Sequence, residues 1–512
     1  MKKIFVVFFL SFCFVLFSID KELELTIFFT NDTNGHPLPF KYVEDNNQGG
    51  LAARAALIKE LSKNKKRQNT LILDAGGIVR GRPESNLFDG IPDIVGMNNI
   101  KYDAAAVGIS ELCDSLEFFE ELKRKANFTF LNGNVCKNNE KKENIAENYI
   151  IKKIGGYNGI KVGIFSVITE DVIDSVSETT KSGIIVNDPV ERARIIVAEL
   201  KDKVDLIIAL THLGYYPDGA KIDSKTLAKE VPCIDIIIDG RTGLRFDQPI
   251  TVNNTKICQS FKWGLFLGEI NLTIKDKEIF NFQYQLHPVN YKENGQLIGN
   301  QIEEDKFVGY IIKNKMQNYD KLMNTKIATV AGGAIDPRKI RTNETAAGNM
   351  ICDALIDYTG ADVAFQNAGG IDENLVLTNE ITRKTFDGII KYDNTVVLVR
   401  LNGYNLKEIL KYSMQREGTG AFLQVGGIRF TYSKMSKEVS DISINGEALD
   451  NKKEYRVAIN SWLAEGGDGY KIFRQITDKI DLNIIHREIV HNYLEKIKEY
   501  KSEIDGRINI IN

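Results

Sequence analysis

The first half of the chain repeats one pattern. A short, almost unbroken apolar run gives way to a polar or glycine-rich break, and then to a stretch with helical spacing. The apolar runs fall at residues 23–29, 70–73, 104–107, 162–167, 204–210 and 234–238. A strand that is apolar on both sides must be covered on both faces. Such strands alternating with helices pack as a layered α/β domain. Helical patterns at 51–63, 116–125 and 189–203 supply the cover, and shorter strand patterns around 262–275 and 280–286 close the unit. Residues 303–323 are polar with a helical rhythm and read as a connecting helix. Beyond 325 come a helical pattern at 346–358, strand patterns at 363–365, 396–401 and 427–432, and a glycine-rich turn at 466–469. These define a separate α+β domain. A chain of 512 residues is too long for one core, and length alone suggests two to four domains.

The N-terminus has its own logic. Lys2 and Lys3 precede an apolar run from Ile4 to Ile19, closed by Asp20, Lys21 and Glu22. A basic start before an apolar segment of this length reads as a secretory signal over 1–20. The run is short for a membrane span, which needs about 20 residues. An uncleaved anchor is the alternative. Cys13 follows Phe12, not the small residue that precedes a lipidated cysteine. The expected location is therefore exported, periplasmic or at the cell surface. The formal net charge of −3 gives no footprint for nucleic acid. The six cysteines are widely spaced, with no CxxC pair, and read as isolated small apolar residues.

In open α/β sheets, functional groups collect beyond the carboxyl ends of the strands. Here those ends carry Asp32, Asn34 and His36; then Asp74, Gly76 and Gly77; then Gly108, Ile109, Ser110 and Glu111; then Thr211, His212 and Gly214; then Asp239, Gly240, Arg241 and Gly243. In order and spacing these segments resemble the secreted 5'-nucleotidase family of calcineurin-like metallophosphatases. That family's strand ends read N-D-x-H, D-x-G-D, G-N-H-E, T-H-x-G and G-H-x-H. In the second half, TAAGNMICDAL, FQNAGGID, FLQVGGIRFTY and NSWLAEGGDGY are similar to the family's C-terminal motifs. The resemblance spans nearly the whole mature chain. It implies a four-layer αββα metallophosphatase-like domain over 21–300, a linker helix over 301–324 and a smaller α+β nucleotide-binding domain over 325–512.

The family's chemistry uses two divalent metals about 3.5–4 Å apart. Carried over by position, Asp32 and His212 are metal-site remnants, with Asn34 a weak third. Gly77 stands where the bridging aspartate belongs, Ile109 at the amide ligand, and Ser110 at the catalytic histidine, so no catalytic residue is intact. Cys113 stands at the aspartate that partners that histidine. Arg241 and Gly243 replace the last two histidines. Of the five histidines only His212 falls at a family position. His36 could swing toward Asp32 through Gly35, and Arg241 could pair with Asp32 in place of a metal.

The second half keeps more. By the same resemblance Phe422 and Trp462 sandwich a nucleobase, Asp468 holds the ribose, and Asn367 lies near the base. Asp372 replaces an arginine that contacts phosphate. The reading is an exported, metal-deficient pseudoenzyme that binds a nucleoside or nucleotide, with no cofactor. One alternative is an active 5'-nucleotidase with an unorthodox site holding a divalent metal (Mn, Zn, Mg or Co). Another is a surface or structural interaction protein. Neither a nucleic acid nor a membrane is expected as a partner, apart from an uncleaved or lipidated N-terminus.

Overall fold

The computed structural model describes residues 22–42, 45–156, 159–216 and 222–511. The segment read as a signal, 1–20, lies outside them. No helix among the described residues is long and apolar enough to cross a membrane. The described cysteines, Cys113, Cys136, Cys233, Cys258 and Cys352, are all free thiols.

Two six-stranded sheets form the heart of the N-terminal domain. In the first, Leu23–Thr30 pairs in parallel with Thr70–Asp74, which continues to Ala104–Ala106 and Thr129–Leu131. Its other side is the antiparallel hairpin Phe266–Lys275 and Glu278–Pro288. In the second, Leu206–His212 lies in parallel between Ile160–Ile168 and Ile236–Asp239. Alternation along each strand builds the layers. Ile27, Phe29, Leu71, Ile208, Leu210 and Ile236 face the space between the sheets. Phe28 and Ile72 point the other way, into a core shared with helices Leu51–Leu61, Ile91–Ile100 and Leu116–Lys125. Phe165, Ile207 and Ile237 pack under helices Pro189–Leu200 and Ser224–Glu230. The order is therefore helix, sheet, sheet, helix. Burying an aromatic side chain such as Phe28 is worth roughly 1.5–3 kcal/mol, and each face repeats that contribution.

The connection differs from the single helix expected over 301–324. It is two helices, Lys306–Lys315 and Tyr319–Met323. Met316 turns back into the N-terminal core, and Asn318 breaks the helix in the left-handed region at φ 72°, which asparagine tolerates better than most residues.

The C-terminal domain is built on a five-stranded sheet in the order Leu423–Gly426, Val363–Asn367, Glu454–Asn460, Thr395–Asn402, Lys479–Ile485. Helices Ala346–Thr359, Gly403–Met414 and His486–Ile497 cover it, and three- and four-stranded sheets flank it. The domains meet where the loop after Thr70–Asp74 touches strand Lys479–Ile485 and helix His486–Ile497. Arg82 of that loop pairs with Asp393, whose other oxygen lies 2.9 Å from Arg487.

Candidate functional site

The parallel strands align their carboxyl ends at one edge, with Thr30 opposite Asp74 and Thr211 opposite Asp239. Asp74 accepts from the Thr30 hydroxyl and the Gly76 N–H, and Asp239 from Thr211, Leu213, Gly214 and Gln259. Both hold their loops in shape. Glu111 does the same on a larger scale. Its buried carboxylate accepts from the main-chain N–H groups of Gly77, Ile78, Val79 and Gly108, and from the Ser110 hydroxyl. The sequence offered a signal for this in the run of glycines facing one acid.

Three of the residues singled out from the sequence converge. Asp32, Asn34 and His212 surround Gly77. A side chain added at Gly77 would begin 3.1 Å from Asn34 Oδ1, 3.1 Å from His212 Cε1 and 3.2 Å from Asp32 Oδ1. His212 Nδ1 lies 3.0 Å from the Ala75 carbonyl, so it is the protonated nitrogen. Nε2 then presents a lone pair, 3.9 Å from Asp32 Oδ1 and without a hydrogen-bond donor. Asn34 Oδ1 is likewise buried without one. Burial pushes the Asp32 carboxyl up to about 7 and the His212 imidazole down to about 4.

Asp32 is anchored by main chain. Oδ1 accepts from the Arg241 N–H at 2.8 Å, and Oδ2 from the Gly243 N–H at 3.2 Å and the Asn31 amide at 2.8 Å. The Arg241 side chain does not pair with Asp32 as expected. The guanidinium turns to Asp171 Oδ2 at 2.9 Å and to the Tyr216 hydroxyl at 3.1 Å. Backbone explains it: Arg241 sits at φ 81°, which points its amide at Asp32 and its side chain elsewhere. His36 does not swing toward Asp32 either. Its ring stacks on Trp263 with centroids 4.9 Å apart, and Nδ1 reaches the carbonyls of Asn34 and Thr33 at 2.6 and 3.0 Å. Ile109 is fully buried. Ser110 and Cys113 are spent on local bonds, the hydroxyl to Glu111 and the thiol to the Ser110 carbonyl.

The donors around Gly77 are thus one carboxylate, one amide oxygen and one imidazole nitrogen. Two divalent ions need a carboxylate bridging them and further ligands on each. This set does not fit a dinuclear centre. Among the described residues no group of three or more His, Cys, Asp or Glu is placed to hold an ion.

In the C-terminal domain, Asn367 and Asp468 meet. The Asn367 amide donates to Asp468 Oδ2 at 2.7 Å, and Asn460 donates to Asn367 Oδ1 at 2.8 Å. Asp468 sits at φ 54° in the turn Gly467–Gly469, and the Tyr412 hydroxyl donates to its carbonyl at 3.1 Å. Trp462 is 52% exposed, with its indole laid against Gly467. Phe422 is fully buried in the domain core, so its ring offers no open face in this arrangement. Of the expected aromatic pair, only Trp462 faces solvent.

One feature escaped the sequence reading. The turn 261–263 joins strand Thr255–Cys258 to Phe266–Lys275 and is fastened to the end of the first strand. The Trp263 N–H donates to the Asp32 carbonyl at 2.6 Å, and the Asn31 amide donates to the Phe261 carbonyl at 3.0 Å. Lys262 at its tip lies within electrostatic reach of Glu465 and Asp481 of the C-terminal domain.

Two layered sheets with polar strand ends, joined to an α+β domain bearing an asparagine–aspartate pair beside an open tryptophan, define a two-domain metallophosphatase-type chain. Comparison with known proteins agrees. Residues 326–475 match the family model described as the 5'-nucleotidase C-terminal domain. A 5'-nucleotidase of Vibrio cholerae is 30% identical, covering 93% of this chain and 91% of its own. The solved NAD nucleotidase of Haemophilus influenzae superposes with a TM-score of 0.80 at 19% identity, over 96% of this chain and 99% of its own. A 5'-nucleotidase precursor from Thermus thermophilus gives 0.56 at 26% identity, over 96% and 100%. The chain belongs to the 5'-nucleotidase family.

Proposed function

We propose that the chain is an exported member of the family that binds a nucleoside or nucleotide through its C-terminal domain and does not hydrolyse phosphate esters at the family's rate. The observation that carries this is Gly77. Its Cα lies where a bridging carboxylate would have to start, with Asp32, Asn34 and His212 already around it. The two oxygens of Asp32 are taken up by the N–H groups of Arg241 and Gly243 and the amide of Asn31. In the C-terminal domain, the Asn367–Asp468 pair and the open face of Trp462 support binding. A base stacked on an aromatic ring gains about 1–3 kcal/mol, and a carboxylate held in place suits a ribose hydroxyl. Export rests on the apolar run after Lys2 and Lys3.

A second reading rests on the two buried acceptors without donors, Asn34 Oδ1 and His212 Nε2. With Asp32 they would give a single divalent ion three ligands. One experiment separates the readings. The purified chain is analysed for bound Mn, Zn, Co and Fe and assayed for AMP hydrolysis with each metal added. The proposal expects substoichiometric metal and negligible turnover. One bound ion with metal-dependent turnover establishes the second reading instead.

A further inference from the structure

The turn 261–263 is held in an unfavourable backbone conformation. Phe261 and Trp263 both lie in the left-handed region, at φ 74° and 60°. That region is unfavourable for bulky side chains, and such strain persists only where the surroundings enforce it, often at working sites. The enforcement here comes from the bonds to Asn31 and Asp32 already described, and from the Phe261 N–H to the Leu244 carbonyl at 3.0 Å. What the strained turn displays is Lys262. Its stem lies over Gly243, with Cβ 3.0 Å from where a side chain at 243 would begin. Gly243 occupies one of the positions at which the resemblance places a metal-ligating histidine. The ammonium rests over the Trp263 ring, 4.4 Å from its centroid. Among the described residues it makes no ion pair. The carboxylates that bear on it are more distant: Asp32 on its own domain, and Glu465 and Asp481 on the other. Glu465 lies between Trp462 and Asp468 in sequence, so the cation is within electrostatic reach of the segment that carries both.

We propose that Lys262 is a metal-free anion contact between the two domains, binding the phosphate of a nucleotide whose base lies on Trp462 and whose ribose reaches Asp468. This rests on the nucleoside reading above and adds to it a preference for the phosphorylated ligand. A strongly hydrated point charge on a flexible stem suits a phosphate oxygen. A desolvated cation without a close carboxylate gains most from an incoming anion. Asp372 offers nothing comparable, because a carboxylate repels phosphate.

The test is calorimetry in EDTA with AMP, adenosine and inorganic phosphate on the full chain, Lys262→Met and Lys262→Arg. The wild type is expected to bind AMP at least about 10-fold more tightly than adenosine, as one charge-assisted contact provides. Lys262→Met should lower AMP affinity to that of adenosine and leave adenosine within about twofold. Lys262→Arg should keep most of the preference. If Lys262→Met binds AMP as the wild type does, the proposal fails and the nucleoside reading stands. The proposal also fails if the wild type shows no preference for AMP, or if Lys262→Met loses both nucleoside and nucleotide equally. Failure of the wild type to bind adenosine or AMP at all overturns both readings.

Discussion

The main-chain N–H of Arg241 lies 2.8 Å from Asp32 Oδ1, while the guanidinium of the same residue turns to Asp171. Backbone, not side chain, therefore answers the carboxylate at the end of the first strand. Removing the Arg241 side chain should disturb Asp171 and leave Asp32 anchored. In urea unfolding, Arg241→Ala is expected to cost on the order of 2–4 kcal/mol, a little below the roughly 3–5 kcal/mol for breaking a fully buried pair because Asp171 is partly exposed. A double-mutant cycle with Asp171→Asn should show coupling of about 0.5 kcal/mol or more, and one with Asp32→Asn close to none. The reverse ordering would restore the guanidinium as the partner of Asp32.

Gly77 is held at φ 71° with Asp32, Asn34 and His212 closing on its open side. Gly77→Ala should cost about 1–2 kcal/mol from the left-handed backbone alone, and more from the contacts. Gly77→Asp should be similarly destabilised in EDTA. It should also gain a rise in Tm with added Mn that the wild type lacks, because a carboxylate now reaches the three donors. An equal Mn response in both proteins would show that the wild-type donors suffice.

Trp462 is one of two tryptophans. The other, Trp263, is buried beneath His36. Adenosine should therefore quench fluorescence through Trp462. Trp462→Ala should abolish the quench and weaken binding about 5- to 150-fold, the equivalent of about 1–3 kcal/mol. Trp263→Phe should retain the quench. Asn367→Ala, which frees the Asp468 carboxylate, is expected to weaken adenosine by about 10-fold.

Asp93, in the first turn of helix Ile91–Ile100, is buried with Oδ2 unpartnered. Burial pushes its carboxyl up to about 7. The folded chain thus holds a proton that the unfolded chain releases near pH 4. The stability this lends is complete below pH 4 and is lost as pH rises to 7. Asp93→Asn should match the wild type at pH 4 and exceed it at pH 8, by an amount on the order of 1 kcal/mol or more. Guanidinium unfolding at the two pH values checks it. A gap that does not widen with pH would mean that Asp93 is ionised in the fold.

The layered N-terminal fold was legible in the chain because strands buried on both faces leave near-continuous apolar runs. The runs at 23–29, 70–73 and 204–210 each became a central strand within a residue or two of the expected limits. The broken linker was not legible, since nothing local distinguishes Asn318 from a polar helical residue until Met316 is drawn into the core. At the site, sequence alone determined which chemical groups stand at each strand end: a glycine at 77, an isoleucine at 109, an arginine at 241. Tertiary structure alone decided where they point. The direction of a side chain depends on backbone dihedrals and on neighbours hundreds of residues away. So Arg241 went to Asp171, His36 to Trp263, and Phe422 into the core. For the same reason Lys262, unremarkable as a letter, stands on a strained turn bolted to Asp32 and within electrostatic reach of the other domain.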